Sequence, residues 1–148
     1  MPAYNESYLD DAMNNLGDMF DYAVNDCGIT LADFCDYFNS SGVAEAYANG
    51  NPKYIAGLSG PELASEVLYR TFGKRPETPS SVNYDKSREY WTGWILAYYQ
   101  WFREYSFPEM QESGLTAEYV YSLYETLHEA DISKFVSIAD RIMKGERK

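Results

Sequence analysis

The chain has 148 residues, of which 45% are hydrophobic and 24% charged, and its formal net charge is -11 at pH 7. This length and apolar content predict one compact domain over residues 1–148, while the negative charge disfavours nucleic acid and favours basic partners. There is no run of about twenty apolar residues and no basic, apolar leader, so we expect a cytoplasmic protein without a membrane span.

The N-terminal segment has apolar residues at helical spacing and predicts a helix over residues 5–27 that ends at Gly28. The opposite face is acidic, and no Lys or Arg interrupts it. Such a face either only keeps the protein soluble or docks a partner with a basic surface. The candidate partner-binding residues are Asp10, Asp11, Asn14, Asp18, Asp21, Tyr22 and Asn25.

Cap signals mark the next helices. Thr30 is a candidate N-cap, and a short helix is expected over residues 42–48, before a Gly-Asn-Pro turn. Ser59 and Glu62 fit a Ser-x-x-Glu capping box at the start of another helix. Residues 74–86 contain two prolines and few apolar side chains, which predicts a long internal loop.

All three Trp residues lie in residues 90–105, a segment that is apolar or aromatic over much of a helical wheel. At about 100° per residue, one stripe of this helix is aromatic. The stripe predicted to be buried consists of Trp91, Trp94, Ile95, Tyr98, Phe102 and Tyr105. We expect this helix at the centre of the protein, although the same aromatic cluster would also suit a ligand pocket between helices.

Ser106, Thr116 and Asp131 are the candidate N-caps of the C-terminal helices, and residues 145–148 are expected to form a polar tail. No segment shows the alternation that is typical of a strand. The sequence therefore predicts an all-α, single-domain bundle of about six to eight helices around the central aromatic helix.

Residues 107–123 suggest an alternative function, because two short helices around Gly114 have the order of a helix-turn-helix DNA-binding motif. The second helix has no Arg or Lys, the side chains that most often read bases. DNA binding is therefore the weaker alternative to protein binding.

Chemistry-bearing residues are few. His128 is the sole histidine and is followed by Glu129, so an acid–base role would need partners from elsewhere, and no metal or cofactor site is predicted. We therefore expect a protein that is not an enzyme. The two cysteines, Cys27 and Cys35, are expected to be reduced, although their spacing leaves a disulfide open.

Four segments of the sequence are similar to those of a known group of proteins: residues 8–28, 50–57, 90–101 and 128–135. The chain resembles small acidic helical proteins of unknown function from Gram-positive gut bacteria, which are encoded in mobile or toxin–antitoxin-like gene clusters. The resemblance supplies no catalytic residues and implies a non-enzymatic accessory or antitoxin-like role.

From these observations we expect a non-catalytic, acidic protein-binding module. It would dock a basic partner, as an antitoxin-like protein or an inhibitor, and DNA-like charge mimicry is one form that this docking would take. The identity of the partner and the oligomeric state stay open, a homodimer included.

Overall fold

The computed structural model describes residues 2–81 and 86–145, and the regular secondary structure within these ranges is helical, with no strand. The helices are α1 (Leu9–Asp21), α2 (Leu31–Ser40), α3 (Val43–Ala48), α4 (Gly60–Phe72), α5 (Arg88–Arg103), α6 (Phe107–Glu112), α7 (Ala117–Ser122), α8 (Tyr124–Leu127) and α9 (Ile132–Met143). A 3₁₀ turn (Glu6–Tyr8) precedes α1, and π-helical turns follow α1 (Tyr22–Asp26) and precede α4 (Lys53–Gly57). The all-α prediction is confirmed.

Five N-caps are those that the sequence predicts, whereas α1 begins after Tyr8, later than expected, and without a side-chain cap. The Ser59 and Ser106 side chains each accept a hydrogen bond from the backbone three residues later, and both helices show the complete capping box. Thr30, Thr116 and Asp131 also cap their helices through side-chain oxygens. Each cap satisfies backbone N–H groups that have no partner inside the helix, which explains why these helices start where they do.

The number of segments is larger than expected for two local reasons. The helix predicted from residue 116 is divided at Leu123, and a π-helical turn (Lys53–Gly57) occupies a stretch where no helix was predicted. Residues 74–81 of the predicted loop have no regular secondary structure. Residues 82–85 of that loop and residues 146–148 of the predicted tail lie outside the described residues.

Helices α1 and α5 form the central pair of the bundle, and small residues let them approach closely. A Cβ atom added at Gly93 of α5 would lie 2.5 Å from the carbonyl oxygen of Leu16, and one at Gly17 of α1 would lie 2.8 Å from the carbonyl oxygen of Tyr90. Real Cβ atoms do not tolerate such distances, so both positions require glycine. The α1–α5 contact therefore depends on backbone proximity as well as on aromatic burial.

The buried face of α5 is broader than the predicted aromatic stripe. Trp91 and Ile95 are buried as expected, but Phe102 is 39% exposed, which corrects the prediction for that residue. Ala97 and Gln100, which lie outside the predicted stripe, are buried instead. The reason is the close α1 contact, which turns the small-residue side of α5 towards the core.

Candidate functional site

The acidic face of α1 divides into an open part and a partly covered part. Asp10, Asp11 and Asn14 are exposed, whereas Asp18 and Asp21 are half-buried. The change follows from the neighbouring helices, because the starts of α4 and α5 lie against the C-terminal half of α1. The predicted continuous face is therefore two adjoining regions.

Gly60, the first residue of α4, packs directly against Asp18. A Cβ atom at this position would lie 2.6 Å from the backbone nitrogen of Met19, so only glycine permits this approach. Ser59, which caps α4, and Pro61 line the cavity beside the contact. The start of α4 thus forms one wall of a groove that runs along α1. We call this groove the acidic groove.

The acidic groove has a volume of about 390 Å³ and is open to solvent. Three carboxylates line it, those of Asp18, Asp21 and Asp26, together with the side chains of Ser81 and Lys86. The Nζ atom of Lys86 lies 4.5 Å from the centre of the Tyr90 ring, at the edge of the groove. Among residues 2–81 and 86–145, no ion pair joins these carboxylates to a Lys or Arg.

Hydroxyl and amide groups hold two of the carboxylates. The Ser87 hydroxyl donates to Oδ1 of Asp21 at 2.6 Å, and Asn25 Nδ2 donates to the same oxygen at 2.8 Å. The backbone N–H of Ser81 donates to Oδ2 of Asp26 at 3.0 Å. Because Ser87 also caps α5, the partial positive charge of that helix start faces Asp21.

Asp18 has a different environment. Burial raises the pKa of its carboxyl above the ordinary value; the positive charge of Lys86 opposes this rise, and the nearby charge of Asp21 adds to it. A raised pKa means that the ionised carboxylate is less well solvated than in water. The groove therefore contains a carboxylate that a cation from outside would stabilise.

Tyr22 is one of the candidate partner-binding residues, but its side chain is only 5% exposed. Its hydroxyl donates to the carbonyl oxygen of Thr78 at 2.5 Å. Burial, with contributions from Cys27 and Asp26, raises the pKa of Tyr22 to about 12. The Tyr22 hydroxyl therefore holds Thr78 beside the end of α1, and little of the Tyr22 ring is exposed to a partner.

The remaining predicted residues lie at the border between α1 and α5. Asn14 accepts a hydrogen bond from the Tyr90 hydroxyl. Asn25 is exposed and donates to Glu89 at 3.1 Å as well as to Asp21. The sequence reasoning missed Asp26, Ser81 and Ser87, which reach the groove from the end of the first helix and from a distant segment. Their one signal in the sequence is the position of Ser87 shortly before the aromatic segment, which suits a helix N-cap with a free hydroxyl.

The helix-turn-helix alternative coincides with α6 and α7, which have six residues each and are separated by a turn at Gly114. Glu112 and Glu118 are exposed there. Carboxylates at these positions repel phosphates, so the local charge opposes DNA binding. This alternative stays a prediction.

His128 contacts a residue one helical turn away, and the two cysteines are not joined in a disulfide. Nδ1 of His128 lies 2.7 Å from the carbonyl oxygen of Tyr124, and the two rings stack with centroids 4.1 Å apart. Cys27 and Cys35 are free thiols, and burial raises the pKa of both. Within the described ranges, no group of three or more His, Cys, Asp or Glu side chains has the arrangement of a metal site.

In the part of the chain that the structure describes, every helix is too short or too polar to cross a bilayer. Comparison with known proteins gives no family model that matches the chain, and no similar curated protein or solved structure.

Proposed function

We propose that the acidic face of α1 and the adjoining acidic groove bind a protein partner with a basic surface, and that the protein acts as a non-catalytic binding module. The observation that carries this proposal is that the carboxylates of Asp10, Asp11 and Asp18 have no ion pair with the chain's own Lys or Arg in the described ranges. The fold does not use these charges for internal ion pairs, so they are available to a partner.

The two regions would contribute differently to binding. Asp10 and Asp11 are exposed, so their attraction for a basic surface is screened by salt and acts mainly on the rate of encounter. Asp18 and Asp21 lie in a cavity of about 390 Å³, which suits one Lys or Arg side chain of the partner. A cation beside Asp18 would offset the cost of its burial, which makes this part of the contact selective for a positive side chain.

An antitoxin-like or inhibitor role follows if the partner's basic surface is itself functional. Where that surface binds DNA, carboxylates along a rigid helix act as a mimic of phosphates. Duplex DNA would then compete with the protein for the same partner, whereas a partner with another basic function would be unaffected by DNA.

The test uses the full chain as bait for partners from its native host. One bait is the wild-type protein, and a second carries Asp10→Lys and Asp11→Lys. A third carries Glu118→Lys and Glu129→Lys, which makes the same change in net charge at exposed positions on another face. We expect a partner that binds the first and third baits and is lost from the second.

Stopped-flow association with that partner provides the quantitative measurement. Reversal of Asp10 and Asp11 should lower the association rate by about tenfold and flatten its salt dependence, since charge steering acts on encounter. Partners retained equally by all three baits, with unchanged salt dependence, would show that the α1 face is only solvated.

A further inference from the structure

A second polar groove lies on another face of the protein, between α3 and the start of α6. Its central cavity has a volume of about 440 Å³ and adjoins two others, of about 330 Å³ and 230 Å³. The central cavity shares Asn39, Ser40 and Pro108 with the first of these. It shares Ala48, Asn49 and Ser106 with the second, so the three cavities form one continuous groove.

Carboxylates line every part of this groove. Glu45 lines the central cavity, Asp36 and Glu112 line one end, and Glu104 and Glu109 line the other. No lysine, arginine or histidine of residues 2–81 or 86–145 lines any of the three cavities. The charged side chains that line the groove in the described ranges are therefore all acidic.

A buried amide supplies independent evidence for a ligand. Gln100 is only 2% exposed and lines the cavity beside Glu104 and Glu109. Its Nε2 donates to the carbonyl oxygen of Ala48 at 3.3 Å, but its Oε1 has no hydrogen-bond partner in the described part of the chain. A buried polar atom without a partner is costly, and in native proteins it usually has one.

The opposite end of the groove repeats this pattern. Asn39 Nδ2 donates to Gln111, and Gln111 Nε2 donates to Asp36, while Oδ1 of Asn39 is buried without a partner among the described residues. Each end of the groove therefore has one buried amide oxygen, that of Gln100 or that of Asn39, without a partner in the described ranges, whereas Oε1 of Gln111 accepts from Asn39. Together with the carboxylates that line the cavities, these acceptors favour a ligand that supplies hydrogen-bond donors with positive charge.

We propose that this groove binds a linear aliphatic polyamine. Ammonium groups spaced along such a chain match carboxylates spaced over three cavities, and the methylene segments match the apolar wall that Ala44, Ala48 and Phe107 provide in the central cavity. A bare metal ion matches less well, because no group of metal-ligating side chains occurs in the described ranges. This site is separate from the acidic groove on α1.

Spermidine is the probe, and isothermal titration calorimetry is the measurement. We expect saturable binding of one spermidine per chain. Glu45→Gln with Glu109→Gln should weaken binding by about tenfold, because two charge-assisted contacts become neutral. Gln is also accepted at the capping-box position that Glu109 occupies, so α6 should keep its start.

The matched control removes the same number of charges elsewhere. Asp10→Asn with Asp11→Asn should change spermidine affinity by less than about twofold, since exposed charges on another face act only through a screened field. The side-chain amide signal of Gln100 in an NMR spectrum should shift on titration. Equal weakening by both double variants, or titration without saturation, would overturn the proposal. So would tighter binding of a short lysine peptide than of spermidine.

Discussion

Asp18 in the acidic groove and Asp140 on α9 are both half-buried aspartates, yet the folded protein shifts their pKa values in opposite directions. Burial raises the pKa of Asp18, and no ion pair within the described residues compensates. Burial acts on Asp140 too, but hydrogen bonds from Arg103 and Tyr99 outweigh it and lower the pKa. The first carboxylate makes the fold less stable when ionised, and the second makes it more stable.

The contacts of Asp140 explain its structural role. Arg103 donates to both carboxylate oxygens, at 3.1 Å and 2.8 Å, and the Tyr99 hydroxyl donates at 2.7 Å. These bonds join α9 to α5. Asp18 has no such set of donors, although α4 approaches it more closely than almost any side chain would allow. This contrast indicates that the charge of Asp140 stabilises the architecture, whereas the charge of Asp18 does not.

The largest expected effect tests the close contact beside Asp18. Gly60→Ala should lower the free energy of unfolding by about 3 kcal/mol, because the new Cβ would meet the backbone of Asp18 and Met19, which cannot move independently. Chemical denaturation measures this loss. Gly57→Ala is the control: its Cβ would lie 3.5 Å from its nearest neighbour, an ordinary contact, and stability should change little.

A smaller loss is expected from Asp140→Asn. The variant loses the charge that Arg103 and Tyr99 hold, and we expect a decrease of about 1 kcal/mol at neutral pH, since both partners are partly exposed. The folded-state pKa lies below the unfolded one, so this contribution is present above the ordinary pKa and is lost as the pH falls through the folded value. Urea denaturation between neutral and strongly acidic pH should show the two proteins converging.

Features of the fold that depend on neighbouring residues were predictable from the sequence, whereas features that depend on contacts between helices were not. Caps such as Ser59 and Thr116 were predictable, because a cap depends on residues within one turn. The exposure of Phe102 was not, since it follows from glycines that bring α1 and α5 together, and a helical wheel gives no weight to small residues.

The candidate site shows the same division. Asp10 and Asp11 are exposed as the helical pattern indicates. The burial of Tyr22 depends on Thr78, and the hydrogen bond to Asp21 comes from Ser87, each more than fifty positions away. Such contacts are set by how the helices pack, and one sequence read in local windows does not contain them.

Asp18→Asn should change stability in the opposite direction to Asp140→Asn and by a smaller amount. The folded pKa of Asp18 lies above the unfolded one, so ionisation lowers stability as the pH rises between these two values. The variant should therefore be more stable than wild type at neutral pH and should lose this advantage in acid. Thermal unfolding at several pH values measures it, and a less stable variant at neutral pH would contradict the proposed cost of the Asp18 charge.

The smallest stability effect should come from Asp10→Asn with Asp11→Asn, and it decides what the open part of the acidic face is for. Both carboxylates lie in the first turn of α1, where a negative charge stabilises the helix by about 0.5 kcal/mol. If this local role explained them fully, the double variant would lose that small amount and bind its partner as wild type does. Under the proposed function, the same variant loses little stability but associates severalfold more slowly. A loss of binding free energy that far exceeds the loss of folding free energy would show that these two charges, like that of Asp18, do not serve mainly to stabilise the fold.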